Sequence, residues 1–417
     1  MHYLLLDPVG DYAIRQKQFL DRLGLPAIAV FSNPMRQGGW HHKWVHKMGE
    51  HVVADYRVED PEDPASVAAT AAEIERNHPG GFYGVVPWDE LHVVLAGALS
   101  DALDLGWNSR RVLERFRDKY LMKDCLRRHG GVRINASRLA RNAQEAMEFQ
   151  EEVGRWPIVV KPSGGAGAMS VFFAESPAEL LRYSQRVLEF GMGAVLLEEY
   201  IGGDEFAVNG LVDQHGDFMA TDIWIYDKRD SHGERNLYYQ SVKLSTHEPV
   251  FGALAQYAGE VVEAMGLRRS PIHMEVKVDD RGPCLIEVGA RMAGGDQPVL
   301  ASKLHHHSLF ELAVCHYLEE LPLSPTDVDY NHYDSYSARI VSGIQPVEIP
   351  RIREVHGVEA VESLPSFAGF GVLRLPGMRL PVTRDLDTKS WEVYLYHREA
   401  DQVSLDAHRV RQLLQYR

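Results

Sequence analysis

The sequence has few cysteines, no long apolar run and a deficit of positive charge, and each shortage excludes a class of protein. Its three cysteines, Cys125, Cys284 and Cys315, form no Cys-x-x-Cys pair and are too few for a disulfide framework, which favours a reducing cytosol. No uncharged segment approaches the length of a membrane span, and the N-terminal MHYLLLDPVG does not resemble a signal peptide. We therefore expect a cytoplasmic protein.

The net charge of -15 argues against general binding to nucleic acid or to an anionic membrane. Both of these partners require a basic protein surface, so we expect neither. A local pocket that holds metal ions can still bind a small anion. With 417 residues, the chain is long enough for roughly two to four domains.

The first hundred residues alternate strand and helix signals. Strand-like runs at 3–6, Ala27–Phe31 and Phe82–Val86 are separated by helical segments around 14–23 and 66–76. This alternation predicts a parallel α/β sheet.

Asp89 and Glu90 lie between the last of these strands and a helix with apolar residues at i, i+3, i+4 and i+7. Ligands of open α/β sheets bind beyond the carboxyl ends of the strands, so both residues are candidates for substrate binding. The alternative is that they only stabilise the N-terminus of the helix through its dipole.

A second candidate site is a hairpin predicted from strand-like runs at 272–278 and 284–288, which flank a cluster of turn formers. If the hairpin is centred on Arg281, Glu275 lies opposite Glu287, with their Cβ atoms about 5 Å apart. Like charges at this spacing repel unless a cation lies between them, and oxygen ligands favour Mg²⁺. The alternative is a solvated acidic face.

A glycine-rich loop at 161–170 joins two strand-like runs. Because no helix follows it, the loop is neither a Walker A loop nor a dinucleotide fingerprint. Its backbone N–H groups can surround a phosphate, to which Lys161 adds a positive charge. The same composition also suits an ordinary hairpin loop.

Three further segments give less specific signals. Residues 110–129 predict one charged helix that follows a domain boundary near residue 110, and the polar segment 227–236 indicates a mobile loop. His305, His306 and His307 could bind a metal, but consecutive side chains point in different directions, and a solvated helix start is the alternative.

Together these features resemble the ATP-grasp ligase superfamily, with motifs in the expected order from about 117 to 295. Arg117-Asp118-Lys119 with Met122 is similar to the first motif, whose lysine contacts nucleotide phosphates, and Lys161 matches the second nucleotide lysine. The string LEEYI followed by Gly-Asp-Glu resembles the hinge strand and implies that adenine and ribose bind there. The resemblance implies an ATP site that comprises Lys119, Lys161, Ser163, Gly164, Gly165, Glu198, Glu199, Ile201 and Glu205.

Within this hinge, the resemblance implies that the Glu198 side chain and the backbone of Glu199 and Ile201 hold adenine, while Glu205 binds ribose hydroxyls. It also assigns Glu275 and Glu287 as metal carboxylates for two Mg²⁺ ions, with Mn²⁺ as an alternative.

The sequence departs from the superfamily pattern at Gly289, where many members carry an asparagine, so a third metal contact is in doubt. The string EVGAR at 287–291 is instead similar to the branch of L-amino-acid ligases. In that branch the arginine faces the reacting carboxyl group, which implies this catalytic role for Arg291.

Three neighbouring residues have two interpretations each. His273 lies on the same strand face as Glu275 and could orient a ligand or accept a proton, or it could be a structural histidine. Gly294 and Gly295 follow Arg291 and either leave room for a substrate or allow a tight turn.

The resemblance implies an α/β (α+β) ATP-grasp fold in three parts. These are an N-terminal parallel α/β domain over 1–110, a central nucleotide-binding lobe over 111–200, and a C-terminal antiparallel-sheet lobe over 201–417. The last part includes a terminal α+β subdomain from about 330.

The implied activity is ATP-dependent ligation of a small-molecule carboxylate and an amine. Two amino acids, or an amino acid and another carboxylate, would be joined through an acyl phosphate with release of ADP and phosphate. A homodimer is compatible with this activity. One alternative is a purine-pathway or carboxylase-like ATP-grasp enzyme that uses formate or bicarbonate. Another is a catalytically inactive nucleotide-binding module.

Overall fold

The computed structural model describes residues 1–6, 24–32, 52–87, 90, 92–165, 171–189, 193–295, 297–317 and 328–417. The helix expected around 14–23, Asp89 and residues 166–170 of the glycine-rich loop lie outside these ranges. In the described part of the chain, no helix combines the length and apolar character that crossing a bilayer requires.

A four-stranded parallel sheet forms the N-terminal part of the fold, with the order β3-β2-β1-β4. Its elements are β1 (His2–Leu6), β2 (Ala27–Phe31), β3 (Val52–Arg57), α1 (Pro64–Asn77), β4 (Phe82–Val86) and α2 (Val93–Ala102). Strand β2 is buried along its whole length, as expected for a parallel strand covered on both faces. The predicted parallel sheet is confirmed, although the edge strand β3 was not among the predicted strands.

Two helices, α3 (Arg110–Arg117) and α4 (Lys119–His129), occupy the segment where the sequence predicted one. The break falls at Asp118, which has an extended backbone. Its carboxylate accepts hydrogen bonds from the backbone N–H groups of Tyr120 and Leu121, at 2.8 and 2.9 Å. Asp118 therefore caps a new helix and directs Lys119 away from the axis of α3.

A four-stranded antiparallel sheet follows, with the order β5-β8-β6-β7. Its elements are β5 (Ser137–Ala140), α5 (Ala143–Val153), β6 (Ile158–Lys161), β7 (Phe172–Ala174), α6 (Pro177–Leu188) and β8 (Val195–Glu199). Ile158 and Val160 pack against the two helices, whereas Val159 and Lys161 face a cavity on the other side. Because side chains alternate along a strand, one face of β6 packs in the core and the other faces the cavity.

The largest sheet is antiparallel and has eight strands in the order β13-β12-β9-β10-β11-β14-β17-β16. Its strands and those of a small two-stranded sheet are β9 (Asp204–Val212), β10 (Phe218–Ser231), β11 (Glu234–Lys243), β12 (Ser270–Asp279), β13 (Gly282–Gly289), β14 (Ser337–Ser342), β15 (Val355–His356), β16 (Phe367–Leu373), β17 (Trp391–His397) and β18 (Gln415–Tyr416). The accompanying helices are α7 (Pro249–Met265), α8 (Gln297–Ser302), α9 (Leu309–Tyr317), α10 (Tyr330–Asp334), α11 (Val358–Glu362) and α12 (Ala400–Leu413).

The prediction of a mobile loop over 227–236 is wrong, because most of this segment lies in strands β10 and β11. The two strands are joined at His232 and Gly233, which both have positive φ angles, of 46° and 85°. Positive φ at both turn residues matches the twist of a hairpin and lets the strands remain paired. The segment is therefore the paired end of a hairpin, with two shifts of register, and not a loop.

Gly203 stands between β8 and β9, where the chain passes from the central sheet into the large one. Its φ angle is +81°, and a methyl group added there would overlap the carbonyl oxygen of Val278. At the neighbouring Gly202, an added methyl group would meet no atom within 4 Å. Only the second of the two glycines is therefore required by the close approach of β9 and β12.

We expect Gly203→Ala to lower the free energy of unfolding by about 2–5 kcal/mol, because it combines a left-handed backbone with a steric overlap. Gly202→Ala is the matched control and should leave stability unchanged or slightly higher. Urea denaturation of both variants measures the difference. Equal, small effects in the two variants would contradict the close approach.

Candidate active site

A cavity of about 600 Å³ is lined by residues of the four-stranded central sheet and of the eight-stranded sheet. It brings together most of the residues singled out in the sequence: Lys119, Lys161, Gly165, Glu198, Glu199, Ile201, Glu205, His273, Glu275, Glu287, Arg291, Gly294 and Gly295. Ser163 and Glu90 do not line the cavity but contact residues at its edge, as described below.

The predicted pair of opposed carboxylates is confirmed, since Glu275 lies directly across from Glu287 in the β12–β13 hairpin. The expected turn geometry was only partly right. The hairpin closes at Asp279 and Gly282, one residue out of the predicted register, and an irregularity after Glu275 restores it. A bulge that re-aims a side chain is common near functional sites.

The two carboxylates have different electrostatic surroundings. Burial raises the pKa of Glu275 above its ordinary value, against the influence of Lys228, and the charge of Glu287 adds to the rise. For Glu287, burial is outweighed by the positive charges of Lys119 and Lys161, which hold its pKa below the ordinary value. The Nζ atom of Lys119 lies 2.7 Å from a carboxylate oxygen of Glu287. When the pair takes up a single proton, that proton therefore binds Glu275 and not Glu287.

This donor set fits a hard cation that completes its coordination elsewhere. Glu275 and Glu287 supply carboxylate oxygens, and a cation between them would relieve their repulsion. Over the ranges that the structure describes, no cluster of three or more His, Cys, Asp and Glu side chains has the arrangement of a metal site. The two glutamates therefore fit Mg²⁺ with additional ligands from phosphate and water.

Two of the three consecutive histidines at 305–307 contact other side chains of the protein. His306 pairs with Asp329 at 3.0 Å, and the buried ring of His305 stacks on Tyr333.

The start of α4 is bound to the glycine-rich loop. The backbone N–H of Lys119 donates to the carbonyl of Ser163 at 3.0 Å, and its Nζ donates to the carbonyl of Gly165 at 2.7 Å. The Ser163 hydroxyl donates to the Asp118 carboxylate at 2.8 Å. These contacts bring Lys119 to the described end of the loop, beside Gly164 and Gly165.

Glu198 is buried between two lysines. Lys123 and Lys161 lie 2.7 and 2.8 Å from its carboxylate oxygens, and Asn135 donates to it at 3.4 Å. Burial alone would raise the pKa of Glu198, but the two lysines outweigh it and lower the pKa to about 2. Sequence reasoning missed Lys123, although its position four residues after Lys119 places both on one face of α4.

The carboxylates of Glu205 and Glu199 also form ion pairs with basic side chains. Lys228 lies 2.5 Å from Glu205, and Lys277 lies 3.9 Å from it. Glu199 accepts a hydrogen bond from the backbone of Ala136 and pairs with Arg155. Lys228 was missed because the sequence assigned its segment to a loop, where the alternation of side chains carries no meaning.

Arg291 and Glu90, which are 201 residues apart, form an ion pair with a Nε to Oε2 distance of 2.6 Å. Gly289 lies against this pair. A methyl group added at Gly289 would be 3.0 Å from the Glu90 oxygen and 3.3 Å from the Cγ atom of Arg291. The absence of a side chain at position 289 therefore makes room for the Glu90 carboxylate.

His273 is held by a buried polar network. Asn209 donates to Asp222 at 2.6 Å and therefore accepts, through Oδ1, from Nδ1–H of His273 at 2.7 Å. Trp224 and Thr221 also donate to Asp222. Burial and the nearby charge of Arg291 lower the pKa of His273 to about 3, so the ring is neutral near pH 7. Its Nε2 atom is then a hydrogen-bond acceptor.

The two candidate glycines differ in their surroundings. A methyl group added at Gly294 or Gly295 would meet no atom within 4 Å, so both positions border open space. Only Gly295 has a positive φ angle, of 64°, and therefore needs glycine for its backbone.

Comparison with known proteins identifies one domain. Residues 154–298 match the family model described as ATP-grasp domain. Dapdiamide A synthase of Enterobacter agglomerans is 33% identical over 242 residues, which cover 55% of each protein. The L-arginine-specific L-amino acid ligase of Bacillus subtilis is 23% identical over 262 residues, or 61% of this chain and 62% of that protein. The matches thus span little more than half the length of these relatives.

A solved structure agrees in fold along the whole chain. The L-amino acid ligase from Bacillus licheniformis aligns with a TM-score of 0.77 and 18% identity, covering 100% of this chain and 98% of that one. At this identity the likeness shows the fold alone. The predicted α/β fold of the ATP-grasp type is therefore confirmed.

The contact between Gly289 and the Glu90–Arg291 pair leads to a prediction. Gly289→Ala should lower the free energy of unfolding by about 1–2 kcal/mol, because the new methyl group crowds the Glu90 carboxylate. In a Glu90→Ala background the same change should cost less, since the carboxylate is gone. A double-mutant cycle by urea denaturation measures the coupling. Strictly additive effects would show that the two positions are independent.

Proposed function

We propose that this chain, which carries an ATP-grasp domain, is an ATP-dependent carboxylate–amine ligase. It would join two amino acids, or an amino acid and another carboxylate, and release ADP and phosphate. The observation that carries the proposal is the combination, in one cavity, of the opposed Glu275 and Glu287 with Lys119 and Arg291. Similarity to dapdiamide A synthase and to L-amino acid ligases supports this class of reaction.

The nucleotide is assigned to the cavity wall formed by the central sheet. Lys119 and Lys161 would contact the phosphates together with the backbone of Ser163, Gly164 and Gly165, and Glu205 would bind ribose. Adenine would lie at the hinge, against Glu198 and the backbone of Glu199 and Ile201. Glu275 and Glu287 would hold Mg²⁺, as two ions, with Mn²⁺ as an alternative. The metal would neutralise charge on the phosphate oxygens.

The reaction needs no nucleophile from the protein. An oxygen of the substrate carboxylate bonds to the γ-phosphorus while the bond to ADP breaks, which gives an acyl phosphate. The amine nitrogen then bonds to the acyl carbon, the carbon–oxygen bond to phosphate breaks, and the nitrogen loses a proton to solvent. Arg291 would orient the carboxylate, and Nε2 of His273 would accept a hydrogen bond from a substrate nitrogen.

The Glu90–Arg291 pair suits an α-amino acid. Arg291 matches its carboxylate and Glu90 matches its ammonium group, while Gly294 and Gly295 border space for a side chain. Asp89 lies outside the described residues and stays a prediction.

We also propose a division of the chain at about residues 110 and 200. The parallel sheet takes its strands from 2–86, the central sheet from 137–199 and the large sheet from 204–397. The proposed boundary near residue 110 falls between the first two ranges, and the boundary near residue 200 falls between the second and the third. The terminal subdomain, from about 330, would begin within the third range.

Phosphate release tests the function directly. We expect ATP-dependent release with pairs of L-amino acids, and mass spectrometry should detect the corresponding dipeptide. Each amino acid alone, formate and bicarbonate are the comparison substrates. Release with formate or bicarbonate alone would favour the alternative enzymes, and no release with any combination would indicate a nucleotide-binding module without catalysis.

Glu287→Gln tests the proposed metal site. The variant keeps the size of the side chain but removes a charge, so we expect turnover to fall by about two to three orders of magnitude. The shift in melting temperature caused by ATP should also lose its dependence on Mg²⁺. Glu263→Gln, on the exposed face of α7, is the control and should behave like the wild type. Near-normal Mg²⁺-dependent activity of Glu287→Gln would mean that the pair is structural.

A further inference from the structure

Lys123 is a lysine without access to solvent, and the proposed reaction gives it no role. The residue is 0% exposed, although an ammonium group is strongly hydrated in water. It lies on α4, four residues after Lys119, and does not line the cavity. Burying an ammonium group costs free energy unless the charge is paired, so the partners of Lys123 indicate what it does.

Lys123, Glu198 and Lys161 form a closed triad of charges. The Nζ atom of Lys123 lies 2.7 Å from Oε1 of Glu198, and the Nζ atom of Lys161 lies 2.8 Å from Oε2 of the same carboxylate. Among the residues that the structure describes, neither lysine forms an ion pair with a second carboxylate. Two ammonium groups therefore share one carboxylate, which leaves a net charge of +1.

The neighbours of the Lys123 amine favour its charged form. Burial lowers the pKa of Lys123, and the carboxylate of Glu198 opposes that shift. Nζ also donates to Oδ1 of Asn135, whose amide is oriented because Nδ2 donates to the carbonyl of Glu199 at 2.9 Å. Both partners of Nζ are thus acceptors, which suits an ammonium group with three donors and no lone pair.

The triad lies beside the proposed phosphate site. Lys161 and Glu198 line the cavity, and Lys123 pairs with Glu198 from outside that lining. Burial would raise the pKa of Glu287, but the charges of Lys119 and then of Lys161 hold it below its ordinary value. The charge of Lys161 therefore acts across the cavity, where the protein interior screens it less than water would.

We propose that Lys123 is a positioning residue that pairs with one oxygen of Glu198, directs the other oxygen to Lys161, and leaves the triad one positive charge for the nucleotide phosphates. This inference rests on the proposed function, in which Lys161 contacts those phosphates. Without Lys123, Glu198 would neutralise Lys161, and the triad would not attract an anion. With Lys123, Glu198 holds Lys161 in place while the triad remains positive.

Lys123→Met tests this role because methionine has a similar length and no charge. The substitution reduces the net charge of the triad to zero. We expect the Kd for ADP with Mg²⁺ to rise by about 5- to 30-fold. Isothermal titration calorimetry without amino acids measures this constant independently of any ligation.

Lys123→Met/Glu198→Gln separates the effect of charge from that of packing. The double variant removes one charge of each sign and restores the net charge of +1, so it should bind ADP more tightly than Lys123→Met. If Lys123→Met does not fold, the same change is measured in the Glu198→Gln background. Adding Lys123→Met there lowers the charge from +2 to +1 and should again raise the Kd.

Lys243→Met is the matched control. Lys243 is another buried lysine, 3.5 Å from the carboxylate of Asp334, and it does not line the cavity. Its substitution also removes a buried positive charge, but it should leave the Kd for ADP unchanged.

The possible outcomes separate this inference from the ligase function. An unchanged Kd in Lys123→Met, or an unchanged Kd on adding it to Glu198→Gln, would overturn the role of Lys123. A loss of affinity that Glu198→Gln does not relieve would make Lys123 a structural residue and would also overturn it. A wild type that does not bind ADP would overturn the nucleotide assignment and this inference together. A wild type that binds ADP but releases no phosphate with any substrate pair would overturn the ligase function alone, and the Kd values would still decide the role of Lys123.

Discussion

The repulsion between Glu275 and Glu287 is the constraint on which the arrangement of the cavity depends. The hairpin register forces two half-buried carboxylates to face each other, so neighbouring elements must compensate their charge. Lys119, at the start of α4, pairs with Glu287, and Tyr238 of β11 donates to Glu275 at 3.2 Å. The capped break at Asp118 and the paired strands β10 and β11 therefore position the two compensating side chains. A continuous helix through Asp118 would direct Lys119 elsewhere, and a loop in place of β11 would remove Tyr238.

Much of this arrangement follows from local sequence patterns, and the remainder depends on contacts that no pattern reveals. Alternation along β12 and the turn formers after it predicted that the two glutamates oppose each other. The irregularity that preserves their register leaves no comparable signal: it skips Ile286 of the edge strand β13, whereas β12 pairs with β9 without a shift. Lys228 could not be assigned for a related reason. Its polar segment lies in a hairpin that turns at His232 and Gly233, both with positive φ angles, beyond the residues that pair with β9 and β14.

Gly289 shows how one missing side chain connects distant parts of the chain. From the sequence alone, a glycine at position 289 suggests that one metal contact is lost. In the structure, the space it leaves is occupied by the carboxylate of Glu90, which pairs with Arg291. A larger residue at 289 and this ion pair are difficult to accommodate together, so the departure from the superfamily pattern and the presence of Glu90 have one physical explanation. The N-terminal sheet thereby contributes a charge to a site built mainly by the other two sheets.

The balance of charge in the cavity bears on how a strongly acidic protein could hold the proposed nucleotide. Among the described residues that line it, eight side chains are basic and nine are acidic. The lining is therefore close to neutral, although the whole chain carries a net charge of -15. Most of the lysine ammonium groups already form ion pairs. Glu198, Glu205 and Glu287 each lie within 2.8 Å of at least one of them. A triphosphate would meet little free positive charge in such a cavity. A divalent cation at Glu275 and Glu287 changes this balance, because it neutralises the carboxylate pair and weakens the attraction between Glu287 and Lys119. Lys119 would then be available to phosphate, so the proposed metal and Lys119 would act as a coupled pair.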